Sequence, residues 1–286
     1  MDDLYARVSK TTKQALYQFI KDRDVSLLNY YFDYYFRFCI QENNIQVIPH
    51  HFSNHKIEGL TVVDELGTSF SYERDNPKVK RNFTLCHELG HFILDHDRTY
   101  FAESVDNQED ILEREANIFS AVVLMPDIVI LSKIYYSCET FHQIQSSLGV
   151  SKQALFFRLL DFLREYYSGK DNEIKQAVEA YIEGNNASIY CFFHDIREQI
   201  IEEFHQFQPS LINQVKQRVS KLGFTTSLEY PDLLNQDNWK AIKASSINIK
   251  TWLVYNKGKS IAYVWDKEKF SDEEARRKAE IQLLLM

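Results

Sequence analysis

The spacing of apolar residues changes several times along the chain, and each change marks an element. Residues 3–40 keep a helical repeat that ends in the aromatic run Tyr30-Tyr31-Phe32-Asp33-Tyr34-Tyr35-Phe36-Arg37-Phe38, which reads as core packing. Residues 45–48 and 58–72 alternate as strands do, with Gly59 and Gly67 as punctuation, so a small sheet precedes the next helix. In that helix Leu85, Leu89, Phe92 and Ile93 recur at helical spacing. The polar, acidic stretch 97–112 reads as a loop, and 113–126 as a second helix with small and apolar residues facing the core. Residues 127–165 predict three short helices. Among them Thr140 to Leu148, then Gly149-Val150-Ser151, then Lys152 to Leu160 reads as helix, glycine turn and serine-capped helix, a helix-turn-helix signature. Residues 168–188 look like boundary material around one charged helix. Beyond them, 189–286 predicts a separate α/β module. It has a long amphipathic helix over 195–222, a hairpin of 251–255 with 260–265 through Asn256-Lys257-Gly258-Lys259, and a last helix over 271–285. The expected fold is therefore α+β and mainly helical. Its expected parts are a 1–126 domain with the sheet beside the 83–94 helix, the 127–168 helix-turn-helix-like segment, and the 189–286 module, a candidate sensor.

The helix after the sheet carries His87-Glu88-Leu89-Gly90-His91, an HExxH pentapeptide within an apolar run. Positions i and i+4 of a helix sit one above the other, so both imidazoles can point at one ion. Glu88, next to His87, can reach a water bound to that ion. This is the zinc-protease arrangement, with two neutral imidazoles, a carboxylate that takes the water proton, and an open coordination position. Chance gives roughly 0.02 such pentapeptides in a chain of this composition. Gly90 costs a helix interior about 1 kcal/mol relative to Ala. Such a cost points to close approach at that position, with metal or substrate as the expected neighbour.

A catalytic zinc ion takes a third protein ligand besides water. The nearest candidates are Asp95, His96, Asp97, Glu103, Glu109, Glu113 and Glu115. His96 comes too early, and without a glycine before it, for an HExxHxxGxxH pattern. A glutamate on the second helix fits better. Glu113 and Asn117 lie one turn apart on one face, so Glu113 can bind metal while Asn117 steadies a neighbouring ligand. Glu115 is rotated about 200° from Glu113 and remains the alternative. The oxyanion donor is open among Tyr72, His96 and Tyr100.

The segments Phe83-Thr84-Leu85-Cys86-His87-Glu88-Leu89-Gly90-His91 and Glu113-Arg114-Glu115-Ala116-Asn117-Ile118-Phe119-Ser120-Ala121-Val122-Val123-Leu124-Met125-Pro126 together resemble the ImmA/IrrE family of bacterial metallopeptidases. The resemblance is good over about 45–126, weaker to about 168, and silent on the last hundred residues. It implies a gluzincin-like zinc endopeptidase that cuts a helix-turn-helix repressor and so releases genes of a mobile element, a prophage or a stress response. Carried onto this chain, it makes His87, His91 and Glu113 the Zn2+ ligands and Glu88 the catalytic base. Cys86 departs from the usual alanine. It reads either as a redox-sensitive or metal-competing thiol or as a small buried residue.

Composition narrows the partners. The net charge of −8 disfavours a general nucleic-acid binder, which needs an excess of lysine and arginine. Residues 126–168 carry four basic and four acidic side chains, and the second helix of the helix-turn-helix-like pair presents Leu155, Phe156, Phe157 and Leu159. A structural or protein-docking role is thus expected ahead of direct DNA binding. The four cysteines lack a CxxC pair, which argues against a disulfide framework or a cysteine metal site. With no signal-peptide pattern after Met1 and no run of eighteen uncharged apolar residues, the expected location is cytoplasmic and away from a membrane. The other reading is a non-catalytic regulator that binds DNA or a repressor through the helix-turn-helix-like segment.

Overall fold

The computed structural model describes residues 3–51, 57–65, 67–96, 100–104, 111–256 and 258–285. They divide into two compact units, Met1–Phe207 and Gln208–Met286. The chain is mainly helical with two small sheets, an α+β fold.

The first unit opens with α1 (Asp3–Asp22) and α2 (Asp33–Glu42), two helices where one was expected. The break falls near Asp24, whose φ of +52° cannot continue a right-handed helix. Of the aromatic run, Tyr30, Phe32, Tyr35 and Phe36 are buried in the core, as the packing reading expects. Then come β1 (Gln46–His50), β2 (Ile57–Asp64), β3 (Gly67–Glu73), α3 (Lys78–Ile93), β4 (Tyr100–Ser104) and α4 (Ile111–Leu124). The sheet order is β1-β3-β2-β4, with β1 parallel to β3 and the other pairs antiparallel. Strand β4 lies in the stretch expected to be a loop. With only five residues, Tyr-Phe-Ala-Glu-Ser, and a place on the sheet edge, it shows no apolar alternation to read.

Pro126 separates α4 from α5 (Asp127–Leu131), which runs into a π-helical turn at Ser132–Tyr136. The run 111–136 is long and apolar enough by length and composition to cross a membrane, but it carries Glu113, Arg114, Glu115, Asp127 and Lys133, and 78 % of its most apolar eighteen-residue window is buried within the protein. Next are α6 (Phe141–Leu148) and α7 (Lys152–Tyr166). A Thr140–Gln143 capping box starts α6, Gly149 in the left-handed conformation (φ +64°) ends it, and Ser151 caps α7. Leu155, Leu159, Leu160, Phe162 and Leu163 of α7 are buried. The turn is fastened to α3, because Asn82 donates to the Gly149 carbonyl at 2.8 Å.

Helices α8 (Asp171–Ile182) and α9 (Ala187–Gln206) complete this unit. Ile189, Phe193, Ile196 and Ile200 of α9 are buried in its core, and Phe193 stacks on Phe162 at 5.5 Å. Residues 189–207 therefore lie in the first unit, and the helix expected over 195–222 is two helices. Pro209 explains the interruption, since it lacks an N–H and disfavours helical backbone at Gln208. A buried ionic cluster ties the ends of the unit together. The Asp127 carboxylate meets Lys13 of α1 at 2.5 Å and also pairs with Arg158 of α7. Lys13 reaches Glu203 of α9 at 3.1 Å.

The second unit contains α10 (Leu211–Leu222), β5 (Phe224–Thr226), a 3-10 turn at Pro231–Leu234, α11 (Gln236–Ala244), β6 (Ile249–Asn256), β7 (Lys259–Asp266) and α12 (Asp272–Leu285). Strands β6 and β7 pair antiparallel in the expected hairpin, whose residue 257 lies outside the described residues. Strand β7 is central in the order β5-β7-β6. Ile261, Tyr263 and Trp265 pack towards Ala275, Ala279 and Leu283 of α12, while Ala262 and Val264 pack with Val215, Val219 and Ile242. Burial on both faces accounts for the continuous apolar run of β7.

Candidate metal centre

Helix α3 presents the pentapeptide towards α4, and His87, Glu88, Leu89, Gly90 and His91 are all buried. Nε2 of His87 and Nε2 of His91 stand 3.0 Å apart. The Glu113 carboxylate of α4 lies 3.0 Å from the first and 3.6 Å from the second. These three side chains offer one ligand atom each, all within 4.8 Å of one another. Four ligands at tetrahedral angles and about 2.0–2.1 Å from a zinc ion lie about 3.3 Å apart, so the spacing suits one such ion.

Hydrogen-bond chemistry points the same way. The amide oxygen of Asn117 lies 3.0 Å from Nδ1 of His87, and an oxygen can only accept there. His87 thus carries its hydrogen on Nδ1 and turns the Nε2 lone pair inward. The Glu115 carboxylate lies 2.8 Å from Nε2 of His96, and Nδ1 of His96 lies 2.8 Å from Nδ1 of His91. With His96 donating to Glu115, His91 donates to His96, and its Nε2 lone pair also faces inward. Two lone pairs and a carboxylate facing one another repel unless a cation sits among them, so the donor set fits a metal ion. Burial lowers the His91 imidazole below its usual 6.5, which favours the neutral form that a metal requires.

Glu88 points to the sheet side of α3. Its Oε2 accepts from the Thr61 hydroxyl of β2 at 2.5 Å. Gly59, two residues earlier on β2, lies against the same carboxylate. A Cβ at Gly59 would stand 2.4 Å from Oε1 of Glu88 and 2.5 Å from Cγ2 of Thr84. Gly59 is therefore inside a strand, where its missing side chain makes room for Glu88. Neither Gly59 nor Thr61 emerged from the sequence as a site residue, and no local pattern marks what packs on a strand glycine.

Gly90 has a different explanation from the expected one. A Cβ there would lie 3.1 Å from Cδ1 of Phe119 and 3.2 Å from Cα of Ala116. The close approach is that of α4, and it carries Glu113 to the histidine pair. Glu115, the alternative ligand, is turned to His96 and also accepts from Arg7 of α1. Asp95 is exposed, Asp97 and Glu109 lie outside the described residues, and the side chain of Glu103 is not described. Among the oxyanion candidates, His96 is engaged by His91 and Glu115, and the side chain of Tyr100 is not described. Cys86 is fully buried, which pushes its thiol well above the usual 9 and keeps it protonated, as a small core residue.

Two histidines four apart on one helix, a glutamate from the next helix and a second buried glutamate beside them form the donor set of hydrolytic metal sites. Residues 40–160 match the family model described as Peptidase_M78, IrrE N-terminal-like domain. That segment contains all five of His87, Glu88, His91, Glu113 and Asn117, and the match makes it similar to metallopeptidases of the ImmA/IrrE type. No curated protein matches the chain.

Proposed function

We propose that the chain is a zinc-dependent endopeptidase that hydrolyses a peptide bond in a helix-turn-helix transcriptional repressor, and so derepresses genes of a mobile element, a prophage or a stress response. The observation that carries this reading is the convergence of His87, His91 and Glu113 beside the buried Glu88. A zinc ion held by those three would lower the pKa of a bound water towards about 7 and polarise the scissile carbonyl. Glu88 takes the water proton and delivers it to the leaving amine, and Thr61 keeps its carboxylate aimed. Asn117 steadies His87 from behind. The edge strand β4 pairs with β2 at Gly59 and Thr61, one strand from Glu88. It is the edge to which an extended substrate could add by main-chain hydrogen bonds.

The rival reading, a DNA-binding regulator, needs the α6–α7 pair free to enter a groove. The hydrogen bond from Asn82 to its turn and the burial of α7 favour a scaffolding role instead. The test is incubation of purified, zinc-loaded protein with the helix-turn-helix repressor encoded beside its gene, wild type against Glu88→Gln. Site-specific cleavage by the wild type alone, with zinc bound to both proteins, is the expected result. Equal cleavage by the variant removes Glu88 from its role. Absence of both cleavage and zinc in the wild type transfers the case to the regulator.

A further inference from the structure

The end of α3 is built as a Schellman turn. The His96 amide donates to the His91 carbonyl at 3.1 Å, and the Asp95 amide donates to the Phe92 carbonyl at 3.3 Å. Asp95 sits between them in the left-handed conformation, φ +54°. In this turn the residue after the left-handed one is folded back over the position five residues before it. The usual contact between those two positions is apolar. Here it is an imidazole pair, His96 upon His91, with both rings buried.

We infer that His96 and Glu115, backed by Arg7, form a relay that positions His91 and sets how tightly the centre holds its metal ion. The inference rests on the metal-site reading above. Ligating histidines ordinarily donate their second N–H to a carboxylate, a carbonyl or water. In this chain a second histidine is interposed between the ligand and the carboxylate. The polarity runs one way along four groups. Arg7 donates to Glu115, which accepts from Nε2–H of His96, which accepts at Nδ1 from Nδ1–H of His91. Each group fixes the ring orientation and tautomer of the next, and only this polarity leaves the Nε2 lone pair of His91 facing Glu113 and His87. The relay also passes outside the matched stretch 40–160, because Arg7 belongs to α1. His96 and Glu115 are thus positioning residues rather than ligands. The two histidines are held unequally, His87 by an exposed neutral amide and His91 by a buried charged chain.

The test is zinc affinity, measured on the full chain by competition with a chromogenic chelator. His96→Leu is expected to weaken binding 10–100-fold, the usual cost of losing such a partner. His96→Gln, whose amide oxygen can still accept from His91, is expected to recover part of the loss. Asp95→Gly keeps the left-handed turn and should bind like wild type, whereas Asp95→Val strains the turn and should weaken binding. Arg7→Ala should cost no more than about fivefold, because its side chain is exposed. Long-range proton–nitrogen NMR of the metal-free protein should place the His91 hydrogen on Nδ1 in the wild type and show it redistributed between the two nitrogens in His96→Leu, a change that a merely structural His96 would not cause. Equal zinc affinity in wild type and in both His96 variants, or a His91 Nδ1 without hydrogen, overturns the relay while leaving the metal site standing. A wild type that binds no zinc overturns the metal-site reading and the relay with it.

Discussion

Gly59→Ala is the smallest change that tests how Glu88 is placed. The new Cβ would stand 2.4 Å from Oε1 of Glu88, about 1 Å short of the 3.4 Å at which ordinary contact begins. It would also stand 2.5 Å from Cγ2 of Thr84, a branched side chain on the same helix that has little freedom to turn away. Alanine in place of a strand glycine would otherwise stabilise by about 0.5–1 kcal/mol. Overpacking of this kind costs about 1–3 kcal/mol, so the clash decides the sign and a net loss is expected. In a unit of this size each kcal/mol corresponds to roughly 2–4 °C in Tm. The larger effect is kinetic. A carboxylate displaced by about 1 Å from the geometry that accepts the water proton costs on the order of a hundredfold in rate. The assay has three parts: zinc per chain, Tm by calorimetry, and kcat/KM on a repressor that the wild type is found to cut. Zinc should stay bound, because the atoms nearest a Cβ at Gly59 belong to Glu88 and Thr84 and not to His87, His91 or Glu113, while Tm drops by a few degrees and kcat/KM falls about a hundredfold. A variant that is as stable and as active as wild type would show that Glu88 is not held by β2, and the argument from this contact would fail.

Other expectations concern the ligands, the helix contact and the ionic cluster. Glu113→Ala should abolish tight zinc binding while Glu115→Ala still retains the ion, as equilibrium dialysis will show; the reverse order would exchange their roles. Gly90→Val, which inserts atoms into the 3.1–3.3 Å contact with Phe119 and Ala116, should destabilise the first unit by about 1–3 kcal/mol and weaken zinc binding together. Asp127→Ala leaves Lys13 and Arg158 buried without their carboxylate, at a cost of about 3–5 kcal/mol in urea denaturation. The pH response of that cluster has two signs. Burial would raise the Asp127 carboxyl, but Lys13 and Arg158 hold it below its usual 3.8, so its contribution is complete above about pH 4 and is lost as pH falls through the lower folded value. Burial raises Glu165 and Glu203 above 4.5, so both take up protons more readily when folded, and stability falls as pH rises from 4.5 through their folded values. Asp127→Asn should therefore flatten the acid limb of the stability profile and also weaken the second trend, because the Asp127 charge helps to raise Glu165 and Glu203.

The elements that carry the centre were legible because their signals are local. The pentapeptide and the apolar repeat of α3 lie within sixteen residues, and Glu113 and Asn117 sit one turn apart on α4. What lay beyond local reading depends on packing between distant segments. Strand β4 takes its pairing from β2 and shows no period of its own. Gly59 and Gly90 stand out only as glycines until their neighbours, Glu88 and Ala116, are known. The partnership of His96 with His91 was concealed because an aspartate, not a glycine, occupies the left-handed position at 95. The division of 195–222 had a visible cause in Pro209, which outweighs the amphipathic pattern that runs across it.

The position of α1 bears on how this protein can be taken apart. A fragment trimmed to residues 40–160 would contain His87, Glu88, His91 and Glu113 and the HExxH helix, and would look like a self-sufficient minimal enzyme. It would nonetheless discard Lys13 and Glu203 from the cluster around Asp127, and Arg7 from Glu115. Homology boundaries and folding boundaries therefore differ in this chain. The shortest piece that keeps its interior charges compensated runs from α1 through α9, and dissection experiments that begin at the edge of the recognisable motif would report misfolding as inactivity.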